Sequence, residues 1–119
     1  MGCNADPTDG FTSIPLKEWN FELQKPNDKP LNERYSYENG LRILWVYSDD
    51  KPHQRGSKTK PRTEIRIRGL DNSSGVWQFE AYGFVPSGTS GVSLVQIHGA
   101  KSGATTMQLR IYKRRLEVL

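Results

Sequence analysis

The chain is nearly without cysteine. One of its 119 residues is Cys, at Cys3, so an intrachain disulfide is excluded, and so is a cysteine-spaced zinc site. The two histidines, His53 and His98, stand far apart and form no HExxH pair, and there is neither a Walker loop nor a GxSxG elbow. No metal or cofactor is therefore expected. No apolar run approaches the roughly 18 residues of a membrane span, and the N-terminus lacks the apolar core of a signal peptide. A membrane partner is not expected. Met1-Gly2-Cys3 invites an acylation reading, but Asp6 stands where the myristoylation pattern wants Ser or Thr. Basic residues are not interleaved with aromatics in an RNP-like pattern, which argues against nucleic acid.

What the chain does have is turn chemistry and short apolar clusters. Hydrophobic residues make up 34% and the mean hydropathy is −0.71, a composition that suits many short strands with polar loops. At this length the chain is one domain or less. Trp19, Phe21 and Leu23 alternate with Asn20, Glu22 and Gln24, as in a strand with one wet face. Leu41 to Tyr47 reads as a well-buried strand entered through Asn39-Gly40. Further strands are expected over 63–68, 76–85, 92–98 and 105–112, separated by Gly- and Ser-rich turns. Six strands at this spacing predict an antiparallel β-sandwich or barrel. The net charge of +4 includes three bases and one acid in residues 113–119. It favours anionic partners without choosing among nucleic acid, acidic polysaccharide and a small carboxylic acid.

Within RTEIRIRG, alternation puts Arg62, Glu64, Arg66 and Arg68 on one face and Thr63, Ile65 and Ile67 on the other. That face is either an ordinary solvated exterior or a row of guanidinium forks suited to carboxylates, with Glu64 holding an arginine in place. Gln96 and His98 share a face about 6.6 to 6.8 Å apart along a strand. Histidine takes a proton near neutral pH and an amide can hydrogen-bond a carboxyl, although a lone strand histidine is more often structural. Gln78, Glu80 and Tyr82 share a face that suits either sugar binding or a plain exterior. His53, with Lys51, Arg55, Lys58 and Lys60, lies in a basic loop that is either solvated or a lid over an anion.

At RTEIRIRG, at the stretch from Ser73 to Gly99 and at ATTMQLRIY, the sequence resembles the alginate-lyase superfamily of polysaccharide lyase family 7, especially its plant citrate-binding members. The R-x-E-x-R of Arg62, Glu64 and Arg66 and the Q-I-H of Gln96 to His98 are the most specific matches. The resemblance covers residues 5 to about 112. It implies a concanavalin-like jelly roll that binds an acidic polysaccharide or citrate. In family lyases an Arg and a Gln neutralise the uronate carboxylate, and a His and a Tyr carry out β-elimination. Carried over, His98 is the base, Gln96 and Arg62 or Arg66 are the neutralisers, and Glu64 is a positioner. Arg68, Gln78 and Glu80 complete the substrate-binding set.

The family's Y-F-K-x-G-x-Y motif has no counterpart in this sequence. The expected organisation is a vestigial segment at residues 1–4, the first part of a jelly roll over 5–112, incomplete at its C-terminus, and a divergent basic tail at 113–119. Two functions compete: a lyase-like fragment with little or no activity, and a non-catalytic binder of citrate or acidic carbohydrate. Family members are secreted or vacuolar, a location the missing signal peptide leaves open. Unpaired strands would favour self-association.

Overall fold

The structure is a computed structural model and describes residues 6–72, 74–101 and 104–119. The acylation reading at Met1 to Cys3 and the boundary after residue 4 lie outside the described residues. Among the described residues seven strands form: β1 (Phe21–Gln24), β2 (Tyr35–Glu38), β3 (Leu41–Leu44), β4 (Glu64–Ile67), β5 (Val92–His98), β6 (Thr105–Tyr112) and β7 (Arg115–Val118). All pairings are antiparallel, in three sheets ordered β1-β4, β2-β3 and β5-β6-β7. This is the expected all-β class. The chain divides into two compact units, with the first two sheets in residues 10–72 and the third in the other. Among the described residues no helix is long and apolar enough to cross a membrane.

In the 10–72 unit the chain enters β1 through a 3-10 turn at Glu18–Asn20. Asn20, expected on the wet face of a strand, is instead 3% exposed. Its Oδ1 accepts the Lys17 N–H at 2.9 Å and its Nδ2 donates to the Arg68 carbonyl at 2.8 Å, while the Arg68 N–H donates to its carbonyl at 2.8 Å. Trp19 is the residue that stays exposed. Its ring lies over Gly69, where a Cβ would sit 2.5 Å from Cζ3 and where φ is +80°. Only glycine fits there without strain.

The β2-β3 hairpin is closed by Asn39 and Gly40, both in the left-handed region at φ 52° and 76°. Asn-Gly is the preferred pair for such a two-residue turn, because its twist matches that of the strands. Strand β2 went unforeseen and β3 stops at Leu44. Nor is the LRILWVY run well buried, since Leu41, Ile43, Leu44 and Tyr47 are all exposed. Side-chain hydrogen bonds hold this hairpin instead. Arg34 Nε and Nη2 donate to Asp50 Oδ2 and Oδ1 at 2.9 and 2.7 Å, a bidentate fork, and the Tyr47 N–H donates to Oδ2 at 2.8 Å. The fork holds the Asp50 carboxyl below its ordinary range, against the opposing effect of burial.

In the other unit, residues 76–85 form no strand, which corrects the expectation from their alternation. They find no ladder partner among the described residues, and alternation without pairing makes no sheet. Tyr82 is fully exposed there, at 101%. Conversely β7 arises where a basic tail was expected, pairing Leu109 with Val118 through to Tyr112 with Arg115. Its turn residues Lys113 and Arg114 both adopt left-handed backbone, at φ 48° and 67°. Neither residue type signals such a turn.

Three outcomes follow for stability. Asn20→Ala leaves the Lys17 N–H and Arg68 carbonyl without partners and should cost about 1 to 3 kcal/mol in denaturant unfolding. Replacing Lys113-Arg114 by Asn-Gly relieves left-handed strain and should add about 1 to 2 kcal/mol. Because the Asp50 pKa is depressed on folding, its contribution is complete above the unfolded value of about 3.9 and fades as pH falls from there through the lower folded value. Asp50→Asn should therefore lower the melting temperature at neutral pH and narrow its gap from the parent below about pH 4. Thermal unfolding from pH 7 to pH 2 measures both effects.

Candidate functional site

The β1-β4 ladder sets the geometry of the arginine row. Glu22 stands opposite Arg66 and Gln24 opposite Glu64, with Phe21 opposite Ile67 and Leu23 opposite Ile65. Directly opposed residues project to the same face. Glu22, Gln24, Glu64 and Arg66 thus share a polar face, while the other face carries Phe21, Leu23, Ile65 and Ile67. Arg62 joins the polar face through its Nη1, which donates to Glu64 Oε1 at 3.0 Å. Arg66 is exposed and makes no hydrogen bond or ion pair among the described residues. Its guanidinium is the one on this face left open to a ligand. Glu22 and Gln24 were read from sequence as a wet face and nothing more, because the register that sets them beside Glu64 and Arg66 is a long-range fact.

Arg68 lies just beyond β4 and is engaged in the fold: its Nε donates to the Trp19 carbonyl at 2.8 Å. The loop from Lys51 to Lys60 is anchored where the Asn27 N–H and Nδ2 both donate to the Pro52 carbonyl, at 3.0 and 2.7 Å. Next to that anchor, His53 Nδ1 is out of solvent and without a partner. A shallow depression elsewhere in the unit is lined by Asp28, Lys29, Arg34, Tyr47, Asp49, Asp50 and Lys51. Of the residues singled out from the sequence only the lid candidate Lys51 lines it, and Arg34 and Asp50 already engage each other.

The remaining expected residues belong to the other unit. In β5, Gln96 stands opposite Gln108 and His98 opposite Thr105, with irregularities that leave Leu94 and Thr106 unpaired. Gln96 Nε2 donates to Thr105 Oγ1 at 2.7 Å. That bond and the His98–Thr105 pairing bring Gln96, His98 and Thr105 to one face. His98 is exposed and Gln96 half-buried. Gln78 and Glu80 are exposed in the irregular 76–85 segment, where no strand face groups them. Arg62, Glu64 and Arg66 are thus brought together in one unit, and Gln96 and His98 in the other.

The chain is similar to known proteins. A citrate-binding protein of Hevea brasiliensis is 64% identical over 115 residues, covering 97% of this chain and 48% of that protein. The chain thus spans about half the length of the curated relative it matches. No solved structure matches. A family model described as alginate lyase matches residues 14–118, and on that match the chain belongs to the alginate lyase family.

Proposed function

We infer that this chain is a binding module for a small polycarboxylate such as citrate, or for an acidic sugar, and that the polar face of β1 and β4 is its contact surface. One observation carries the inference: Arg66 stands exposed and unbonded on the same face as an Arg62 that Glu64 already holds in place. An arginine with all five donors open presents a fork to a carboxylate, and a neighbour fixed by a carboxylate brings a second positive group at little entropic cost. The name of the Hevea relative supports the same ligand chemistry. In this reading strands β1 to β6 are parts of a concanavalin-like jelly roll over residues 5–112.

The second reading is β-elimination of a polyuronate, favoured by Gln96 and His98 sharing a face. There Gln96 and an arginine would neutralise the carboxylate and His98 would take the C5 proton. Gln78 and Glu80 would add contacts along the chain of sugars. Binding is the stronger of the two because it needs only groups within one unit, whereas elimination also needs a proton donor to the leaving oxygen, a role no residue of the Gln96, His98 and Thr105 face fills.

Calorimetry with citrate and with short oligouronates tests the binding reading. Arg66→Ala should weaken affinity by about 1.5 to 3 kcal/mol, the typical loss for a charge-assisted hydrogen bond. Glu22→Gln removes the opposing charge across the ladder and should tighten binding a few-fold, roughly in the range of exposed charge pairs. Unchanged affinity in both variants rejects this face as the site. Release of unsaturated uronate by the chain, lost in His98→Ala, would instead establish elimination.

A further inference from the structure

The polar face holds two atoms that are out of solvent and without a hydrogen-bond partner: Gln24 Oε1 and Arg62 Nε. The register sets Gln24 directly across from Glu64, and Glu64 is the residue that Arg62 Nη1 contacts. Glu64 therefore has the orphaned acceptor across the ladder from it and the orphaned donor on its own strand side. Leaving such groups unsatisfied is destabilising, so each unexplained instance calls for a partner. Both side chains are only half-buried as wholes, which places these atoms just beneath the surface.

The pairing restricts what that partner is. A carboxylate only accepts hydrogen bonds, so it satisfies Arg62 Nε–H and does nothing for Gln24 Oε1. A hydroxyl does both, accepting from the guanidinium and donating to the amide oxygen. Two residues beyond Glu64 on the same face, Arg66 offers the fork for a carboxylate. Resting on the reading that this face holds an acidic ligand, we propose that Gln24 is a specificity-determining residue that selects hydroxy acids, in which a hydroxyl lies next to a carboxylate, over plain polycarboxylates. Citrate carries that arrangement, its hydroxyl and central carboxylate sharing one carbon, and an acid lacking the hydroxyl leaves Gln24 Oε1 orphaned.

Calorimetry on the full 119-residue chain with citrate and with tricarballylate, the same three carboxylates without the hydroxyl, tests this. The chain should bind citrate about tenfold more tightly, the effect of one buried hydrogen bond made or left unmade. In Gln24→Leu and in Gln24→Met, which keeps the side-chain length, the two affinities should converge through loss on the citrate side alone. Retained tricarballylate binding shows that each variant is folded. Equal affinities in the parent would overturn the role of Gln24 and leave the binding reading standing, as would a preference that survives both substitutions. Failure of the parent to bind either acid would overturn both.

Discussion

In residues 10–72 the arrangement depends on one guanidinium, that of Arg42 in β3. It lies over the Phe21 ring at 4.7 Å and over the Tyr37 ring at 3.9 Å. Its Nη1 donates to the Tyr35 hydroxyl at 2.6 Å and its Nη2 to Glu18 Oε1 at 3.2 Å. Phe21 belongs to β1 and Glu18 to the turn before it, while Tyr35 and Tyr37 belong to β2. One side chain thus ties the β1-β4 sheet to the β2-β3 hairpin. Burial opposes its charge, but the bonds to Tyr35 and Glu18 outweigh that and raise its pKa. A cation between rings contributes about 0.5 to 2 kcal/mol per contact, depending on desolvation. That is a large share where buried hydrocarbon is scarce.

Scarcity of core is the condition that gives polar ties this weight. Tyr35, at 9% exposure, is the buried apolar residue of the unit besides Pro26. Two-stranded sheets are marginal on their own. What holds the unit is a set of directional contacts: Arg42 between rings of the two sheets, Arg34 forked to Asp50 beside the hairpin, and Asn20 strung between Lys17 and Arg68 at the end of the β1-β4 ladder. Such contacts fix geometry more sharply than apolar burial does, because a donor left unmatched is costly whereas a methyl group tolerates small displacements. The polar face of β1 and β4 inherits that precision, since Asn20 and Arg68 lock the end of the ladder that carries it.

Legibility from sequence followed the range of the signal. The alternation in β4 and the Asn39-Gly40 pair are local, and the structure uses both, although the strand before Asn39 went unread because the alternation of Tyr35 and Tyr37 with Ser36 and Glu38 is only four residues long and has no aliphatic side chain. Lys113 and Arg114 carry no local turn signal, so β7 could not be foreseen from residue types. Val76 to Val85 fails in the opposite sense, having the local pattern and lacking a ladder partner among the described residues. For the site, the arginine row was visible and its neighbours were not. Gln24 and Glu22 become part of it only through the register against β4, which sequence spacing does not encode.

The arginines of this chain show why residue type alone cannot assign a ligand site. Arg34 is saturated by Asp50 and the Glu33 carbonyl, Arg42 is enclosed by rings and hydroxyl, and Arg68 caps the Trp19 carbonyl. By composition each suited an acidic ligand as well as Arg62 or Arg66 does. Their donors are already directed at protein acceptors, and a guanidinium enclosed in this way can turn toward a ligand only by giving up internal bonds. Arg62 keeps one donor orphaned and Arg66 keeps all of its donors open. The difference lies in satisfaction rather than in charge, and it separates Arg62 and Arg66, on the face proposed to meet the ligand, from the arginines already engaged within the fold.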